Sequence, residues 1–348
     1  MLVIYNPTAG RRRIWLLWSV LDILMAHGVR LDVAETTHPG HATALAREAV
    51  LRGATLVVAA GGDGTIAEVA EGLSVQHDPA ASPQGTLRGG RMAPAATRRP
   101  VACHLGIIPL GTANVLAHEL GLPHAAAEVA AVLAAGRPVP LWPGIAHGPT
   151  GRRLFVQMLG IGFDAHVVHN VSRPVKRALG RGAYVVQTLR ELPRYGFARM
   201  QATIDGVAHE TGGIIVSKGS LYGGPYMLAP EAVPGERGFS IILFGRAGVA
   251  SALLAGAALP LNMLQRLPGT RRLRGYEITI TTPVALPAQS DGDPAGSTPL
   301  RIVDAPAPIH VLAGVRGAGS ARATGRPAGA ATGPGTADGA VAAERLAG

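Results

Sequence analysis

Three short segments of this 348-residue chain combine glycine with hydroxyl, amide and carboxylate side chains in patterns suited to phosphate chemistry. The densest is Gly61-Gly62-Asp63-Gly64-Thr65. Glycines at 61, 62 and 64 let the backbone turn sharply and aim N–H groups at phosphate oxygens, and a following helix adds partial positive charge at its N-terminus. Asp63 cannot itself meet a phosphate. It needs a bridging Mg2+, a ribose hydroxyl or a substrate proton to accept. Glu68, three residues past Thr65, can cap a helix N-terminus or face a cleft. In the second segment, Asn6-Pro7-Thr8-Ala9-Gly10, Asn6 and Thr8 offer hydrogen bonds, Gly10 lets backbone approach a phosphate, and Arg11, Arg12 and Arg13 follow with charge. In the third, Pro109 to Asn114, the polar or flexible positions are Gly111, Thr112 and Asn114. None of the three is the dinucleotide pattern G-x-G-x-x-G, which weighs against an NAD-dependent oxidoreductase.

Each segment needs a strand before it and a helix after it. Residues 2–5 read as a strand, 15–27 as a helix, 30–35 as a strand and 41–52 as a helix. Residues 55–60 form a short apolar strand running into Gly61, and 66–73 a helix. Residues 104–108 form a strand, 115–120 a helix, and 125–135 a helix capped by Gly136. This alternation predicts an α/β domain with a largely parallel sheet over 1–140, interrupted by a flexible Pro/Gly/Ser/Arg loop over 76–100. Crevices at the C-terminal ends of parallel strands are where open α/β sheets bind ligands.

Beyond about residue 140 the pattern changes to short strands separated by Gly and Pro: 155–159, 200–204, 213–217, 239–244 and 277–282, with helical inserts near 183–192 and 251–264. That spacing predicts a β-rich, antiparallel sandwich-like domain over 141–305. A return strand falls in 306–315, and a Gly/Ala-rich tail over 316–348 lacks the large apolar residues needed to offset ordering entropy.

Composition narrows the function classes. The formal charge is +10, but only Lys176 and Lys218 are lysines, so the excess is nearly all arginine and matches an Ala/Gly/Arg-rich composition as well as an anionic partner. No aromatic-and-basic nucleic-acid module is present. The single cysteine, Cys103, excludes an internal disulfide and a multi-cysteine zinc site, and points to the cytoplasm. Apolar residues precede the first arginines, the reverse of a secretory signal, and 247–264 is broken by Gly and Pro, so no membrane span is expected. Trp15-Leu16-Leu17-Trp18 reads as core, with an interfacial face as the alternative. His104, His118 and Cys103 read as packing residues. No G-x-S-x-G elbow marks a hydrolase.

Taken together, the Asn6–Gly10, Gly61–Thr65 plus Glu68, and Pro109–Asn114 segments resemble the diacylglycerol kinase catalytic domain superfamily, which includes sphingosine and ceramide kinases. The resemblance continues through Gly160-Ile161-Gly162-Phe163-Asp164-Ala165, Tyr222-Gly223-Gly224, Ala229-Pro230 and Asp291-Gly292-Asp293, covering roughly residues 1–315. It implies a cleft between the lobes that takes ATP and Mg2+, with a lipid entering from the second lobe, a role in phospholipid biosynthesis, and reversible contact with anionic membranes. A homodimer is an open option. It further implies that Asn6, Gly61, Gly62, Asp63, Gly64, Thr65 and Thr112 surround the nucleotide. Asp291 becomes the general base, with Asp63 its rival, and Asp293 helps arrange Mg2+. The chain departs from the family twice. Asp293 stands where glutamate is usual, and Gly235-Glu236-Arg237-Gly238 replaces an Asp-rich turn that holds a structural metal. A NAD kinase-like enzyme, and a non-catalytic lipid- or nucleotide-binding protein of the same fold, are the competing readings.

Overall fold

The computed structural model describes residues 1–9, 13–77, 102–171, 182–245 and 248–314. Gly10, most of the 76–100 loop and the 316–348 tail fall outside them. In chain order the elements are β1 (Leu2–Tyr5), α1 (Ile14–Ala26), β2 (Asp32–Glu35), α2 (His41–Leu51), β3 (Leu56–Gly61), α3 (Asp63–Leu73), β4 (His104–Pro109), α4 (Val115–Glu119), α5 (Ala126–Ala135) and β5 (Arg137–Leu141). The second half contains β6 (Gly144–Gly148), β7 (Gly151–Phe155), β8 (Met158–Ile161), α6 (Phe163–Asn170), α7 (Gly182–Glu191), β9 (Met200–Ile204), β10 (Val207–Thr211), β11 (Ile214–Ser217) and the short pair β12 (Leu221–Tyr222) and β13 (Tyr226–Met227). It ends with β14 (Phe239–Phe244), α8 (Val249–Ala258), β15 (Thr270–Gly275), β16 (Glu277–Thr281), β17 (Pro287–Ser290), β18 (Asp293–Ser297), β19 (Leu300–Asp304) and β20 (Ile309–Ala313).

The first lobe is built on the sheet β2-β1-β3-β4-β20-β5, parallel except at β5. Its inner strands β1, β3 and β4 are largely apolar on both faces because both are covered, whereas the edge strands β2 and β5 are mostly exposed. Val3, Val58 and Ile108 pack under α1 and α5, while Ile4, Val57, Ala59 and Leu105 pack under α2 and α3. The second lobe is a sandwich of two antiparallel sheets, β10-β9-β16-β19-β6-β7 and β15-β14-β11-β8-β17-β18. Residues such as Phe155, Ile204 and Ile302 meet Leu159, Val216 and Ile241 between them. The core of the first lobe runs on into Leu154 and Val156, so the lobes share buried surface.

Several local expectations change. The 155–159 strand divides: β7 ends at Phe155 in one sheet and β8 begins at Met158 in the other. Gly136 ends α5 in extended conformation at φ −64°, so its glycine answers crowding by Val132 O rather than a left-handed turn. α3 starts at Asp63, three residues earlier than periodicity indicates. The Trp15–Trp18 stretch splits by face: Leu16 and Leu17 are buried, but Trp15 and Trp18 are more than half exposed, at 57% and 53%. Cys103 is buried, and burial pushes its thiol up to about 11.

The turn at 235–238 is organised by an internal cation. The buried Lys218 ammonium donates to the carbonyls of Glu236 (2.9 Å) and Gly238 (2.8 Å) and to Asp304 Oδ1 (2.8 Å), and lies 4.7 Å from the Phe239 ring centroid. Asp304 Oδ2 accepts from Gly238 N–H at 2.7 Å. Three oxygens around one ammonium hold the turn that carries Arg237. Replacing Lys218 with Met leaves Asp304 buried beside unmatched carbonyls. Urea denaturation of Lys218→Met is expected to show a loss of about 3–5 kcal/mol.

Candidate active site at the junction of the lobes

The three glycine-rich segments converge because their strands are neighbours in one parallel sheet and end on the same side. Asn6 N–H donates to Ala60 O at 3.1 Å, and Leu110 and Gly111 N–H both donate to Gly61 O, at 3.0 and 3.2 Å. Gly62 and Gly111 touch backbone to backbone, since a Cβ on Gly111 would lie 2.5 Å from Gly62 Cα. Asn6 joins two loops through its side chain. Its Nδ2 donates to Thr65 Oγ1 (3.0 Å), and its Oδ1 accepts from Thr8 N–H (2.9 Å) and Oγ1 (2.8 Å). Asn114 is buried at φ 48° and donates to Gly111 O at 2.9 Å, while its Oδ1 meets no hydrogen-bond donor. Thr112 is exposed at the loop tip.

α3 begins at Asp63 with Gly62 in extended conformation and no side-chain cap. The first N–H groups of such a helix are left for an anion. Asp63 Oδ1 accepts from Leu116 N–H at 3.2 Å, which ties α3 to the start of α4. Glu68 is placed elsewhere. It accepts from the N–H groups of Gly40 (3.0 Å) and Ala42 (3.2 Å), capping α2 rather than facing the acids.

The second lobe delivers Asp291 and Asp293 on a hairpin. Ser290 pairs with Asp293, so the turn is the two residues Asp291 and Gly292, at φ 50° and 82°. Positive φ at both positions is the signature of a type I′ turn, for which Asp-Gly is a preferred pair. Asp291 is 8% exposed, and its carboxylate lies where the chain passes from β7 to β8 between sheets. Oδ1 accepts from the N–H groups of Gln157 (2.9 Å) and Met158 (2.9 Å), and Oδ2 from Val156 (2.8 Å). Burial outweighs these three donors, and with repulsion from Asp63 it pushes the carboxyl up to about 7. Asp63 is also raised, first by burial, with repulsion from Asp293 adding to it. Asp293 packs so closely on Gly64 that a methyl group there would overlap its Oδ2.

Asp63, Asp291 and Asp293 therefore form one acidic group drawn from both lobes, and the charges acting on Asp63 and Asp291 are all negative. Among the described residues no three metal-ligating side chains converge on a single point. Carboxylates brought together without a dedicated cage fit a Mg2+ ion, which is commonly held by one or two carboxylates together with substrate phosphates and water.

Sequence reasoning missed the residues that hold this hairpin. Gln289 Oε1 accepts from Gly292 N–H at 3.0 Å, and its Nε2 donates to Asp164 Oδ2 at 2.8 Å. Asp164 is partly buried, its carboxyl is raised by desolvation, and it receives the Tyr222 hydroxyl on Oδ1. Gly160 leaves the room that Asp164 and Gln289 occupy. Glu119, at the end of α4, accepts from Ser220 Oγ (2.8 Å), Leu221 N–H (3.0 Å) and Gln157 Nε2 (3.3 Å). The Gly160–Ala165 and Tyr222–Gly224 segments carried part of this signal. Gln157, Gln289 and Glu119 lie in no glycine pattern.

Residues 1–142 match the diacylglycerol kinase catalytic domain, and residues 157–313 match the YegS C-terminal NAD kinase beta sandwich-like domain. A Pseudomonas putida protein described as "Probable lipid kinase YegS-like" is 29% identical over 84% of this chain and 88% of its own. A Bacillus subtilis diacylglycerol kinase is 30% identical over 71% of this chain and 74% of its own. The crystal structure of a diacylglycerol kinase from Bacillus anthracis has the same fold, with a TM-score of 0.61 at 19% identity, covering 90% of this chain and 97% of that one.

The packing of Asp293 on Gly64 yields a specific test of the junction. In Gly64→Ala the side chain of Asp293 must rotate away, which a flexible carboxylate can do without unfolding either lobe. The melting temperature is expected to stay within a few degrees of wild type. Turnover is expected to fall about tenfold or more, as in Asp293→Ala, because misplacing a positioned group by about 1 Å already costs about 10²-fold. Equal turnover in Gly64→Ala and wild type would show that the contact has no bearing on the chemistry.

Proposed function

Because the chain belongs to the diacylglycerol kinase family of lipid kinases, we propose that it transfers the γ-phosphoryl group of ATP to a lipid hydroxyl, with diacylglycerol or a related lipid as acceptor. The observation that carries this reading is the meeting of Asp291 and Asp293, from the second lobe, with the Asp63 end of α3 in the first. One lobe supplies donors for phosphate, and the other supplies one carboxylate for the acceptor and one for the metal.

In this reading the N–H groups at the start of α3 and the Gly61–Thr65 and Gly111–Asn114 loops receive the ATP phosphates. Asn6, Thr8 and Thr65 keep those loops in register, and Asp63 and Asp293 would hold Mg2+. When bound, that ion neutralises charge on the transferring group. Asp291 is the base. Its Oδ1 already takes two N–H groups, whereas Oδ2 takes one and keeps an acceptor direction for the lipid hydroxyl. Burial makes it a stronger base than an exposed aspartate, and phosphoryl transfer asks only that the proton be accepted as the new bond to phosphorus forms. Reversible docking on anionic membranes brings the protein to a substrate that resides in the bilayer.

Purified protein incubated with γ-labelled ATP, Mg2+, NAD and a total lipid extract should place label in a lipid product. Label appearing in NAD rather than in lipid would favour the NAD kinase-like reading, and no transfer to either acceptor would favour a binding protein.

The two candidate bases are separable by substitution. Asp291→Asn can occupy the same positive-φ position, and should lower turnover by about 10²–10⁴-fold while Mg-ATP affinity stays near wild type. Asp63→Asn should weaken Mg-ATP binding measured by calorimetry. Near-full turnover in Asp291→Asn, together with lost turnover and normal Mg-ATP binding in Asp63→Asn, would reverse the assignment.

A further inference from the structure

α8 has the sequence Val-Ala-Ser-Ala-Leu-Leu-Ala-Gly-Ala-Ala, carries no charge, and buries only Ala258 fully. A helix apolar on all sides is ordinarily enclosed by protein or placed in lipid. Here Leu253 and Leu254 are 46% and 59% exposed, and Leu261 and Met263, just beyond the helix, are 67% and 46% exposed. An apolar surface of this kind marks a partner.

The flanking charge is of one sign. From residue 247 to residue 276 the chain contains no acidic side chain and four arginines: Arg266, Arg271, Arg272 and Arg274. Arg272 and Arg274 pair with Glu231 and Glu236, each at 3.1 Å. Arg266 and Arg271 are exposed and form no ion pair among the described residues.

The inner side of the same segment leads to the site. Ala255, Leu259 and Leu267 pack on a cluster containing Val115, Met158 and Leu264. Met158 donates its N–H to Asp291, and Val115 opens α4 beside Asp63. A cavity of about 60 Å³ opens between Leu254, Leu267 and Phe244 at the outer edge of this cluster. Apolar surface is thus continuous from the exposed leucines to the neighbours of the acidic group.

We propose that α8 and the 259–267 segment are the membrane-docking face of this protein. Leu253, Leu254, Leu261 and Met263 enter the acyl boundary of an anionic phospholipid bilayer, and Arg266 and Arg271 meet its phosphates. The proposal rests on the lipid kinase reading, since it is the bilayer that holds such a substrate. Aliphatic residues flanked by arginine, with no acid to repel the surface, suit an anionic bilayer. The rival surface is α1, with exposed Trp15 and Trp18. It carries Asp22, and it packs on a cluster that includes neither Val156 nor Met158.

The test is co-sedimentation of the full chain with vesicles of phosphatidylcholine alone or mixed with phosphatidylglycerol. ATP and substrate are omitted, so the outcome does not depend on whether phosphate is transferred. Wild type is expected to bind the mixed vesicles, and less so as salt rises. Leu254→Ser/Leu261→Ser and Arg266→Ser/Arg271→Ser should each lower binding about tenfold or more. All four positions are exposed, so melting temperatures should match wild type and exclude unfolding as the cause. Wild-type binding by both double variants would overturn the proposal. So would loss of binding in Trp15→Ser/Trp18→Ser alone, or no binding of wild type to either vesicle. A failure of the kinase reading would appear instead as absent label transfer by a protein that still binds vesicles.

Discussion

The arrangement of the site depends on how one carboxylate answers a gap in hydrogen bonding. Where the chain leaves one sheet of the sandwich for the other, Val156, Gln157 and Met158 present backbone N–H groups that must be satisfied once buried. Asp291 accepts all three. A carboxylate there does two jobs at once: it completes the switch between sheets and it puts a negative charge at the seam of the lobes. Neutral acceptors could do the first and not the second. The cost is the burial of that charge, visible in a carboxyl raised to about 7 despite its donors.

The neighbouring structure keeps that carboxylate in place. A type I′ hairpin fixes the backbone of Asp291, Gln289 anchors the next N–H, and Asp164 anchors Gln289. On the other side, contact between Gly62 and Gly111 brings two glycine-rich loops together, and Gly64 admits Asp293. Mutual repulsion adds to burial in raising Asp63 and Asp291, so each holds a proton more readily than an exposed aspartate does.

Much of the first lobe could be read from the chain because its signals are local. Apolar strands flow into glycine turns and then into amphipathic helices, and each loop of interest lies within a few residues of its strand. The second lobe was harder. Its sheets are assembled from short strands far apart in sequence, and the divided 155–159 strand looks continuous because Val156 and Gln157 link two apolar stretches with no glycine or proline between them. Asp63, Asp291 and Asp293 were found through glycine patterns around them. Gln289, Gln157 and Glu119 were not, because their roles depend on partners between 38 and 134 residues away or on a neighbouring turn. Glu68 shows the converse: beside a glycine loop it could cap a helix N-terminus or face the cleft, and it accepts from the N–H groups at the start of α2.

The place of β20 in the first sheet, between β4 and β5, has a consequence for biosynthesis. Every other strand of that sheet leaves the ribosome before the sandwich is made, and β20 leaves after it. Until then β4 has an open ladder on one side, and the edge strand β5 lacks the neighbour that joins it to the sheet. Vectorial folding cannot finish the lobes one after the other. The lobe translated first closes only when the second has already been threaded through, which makes assembly of the two a single committed step.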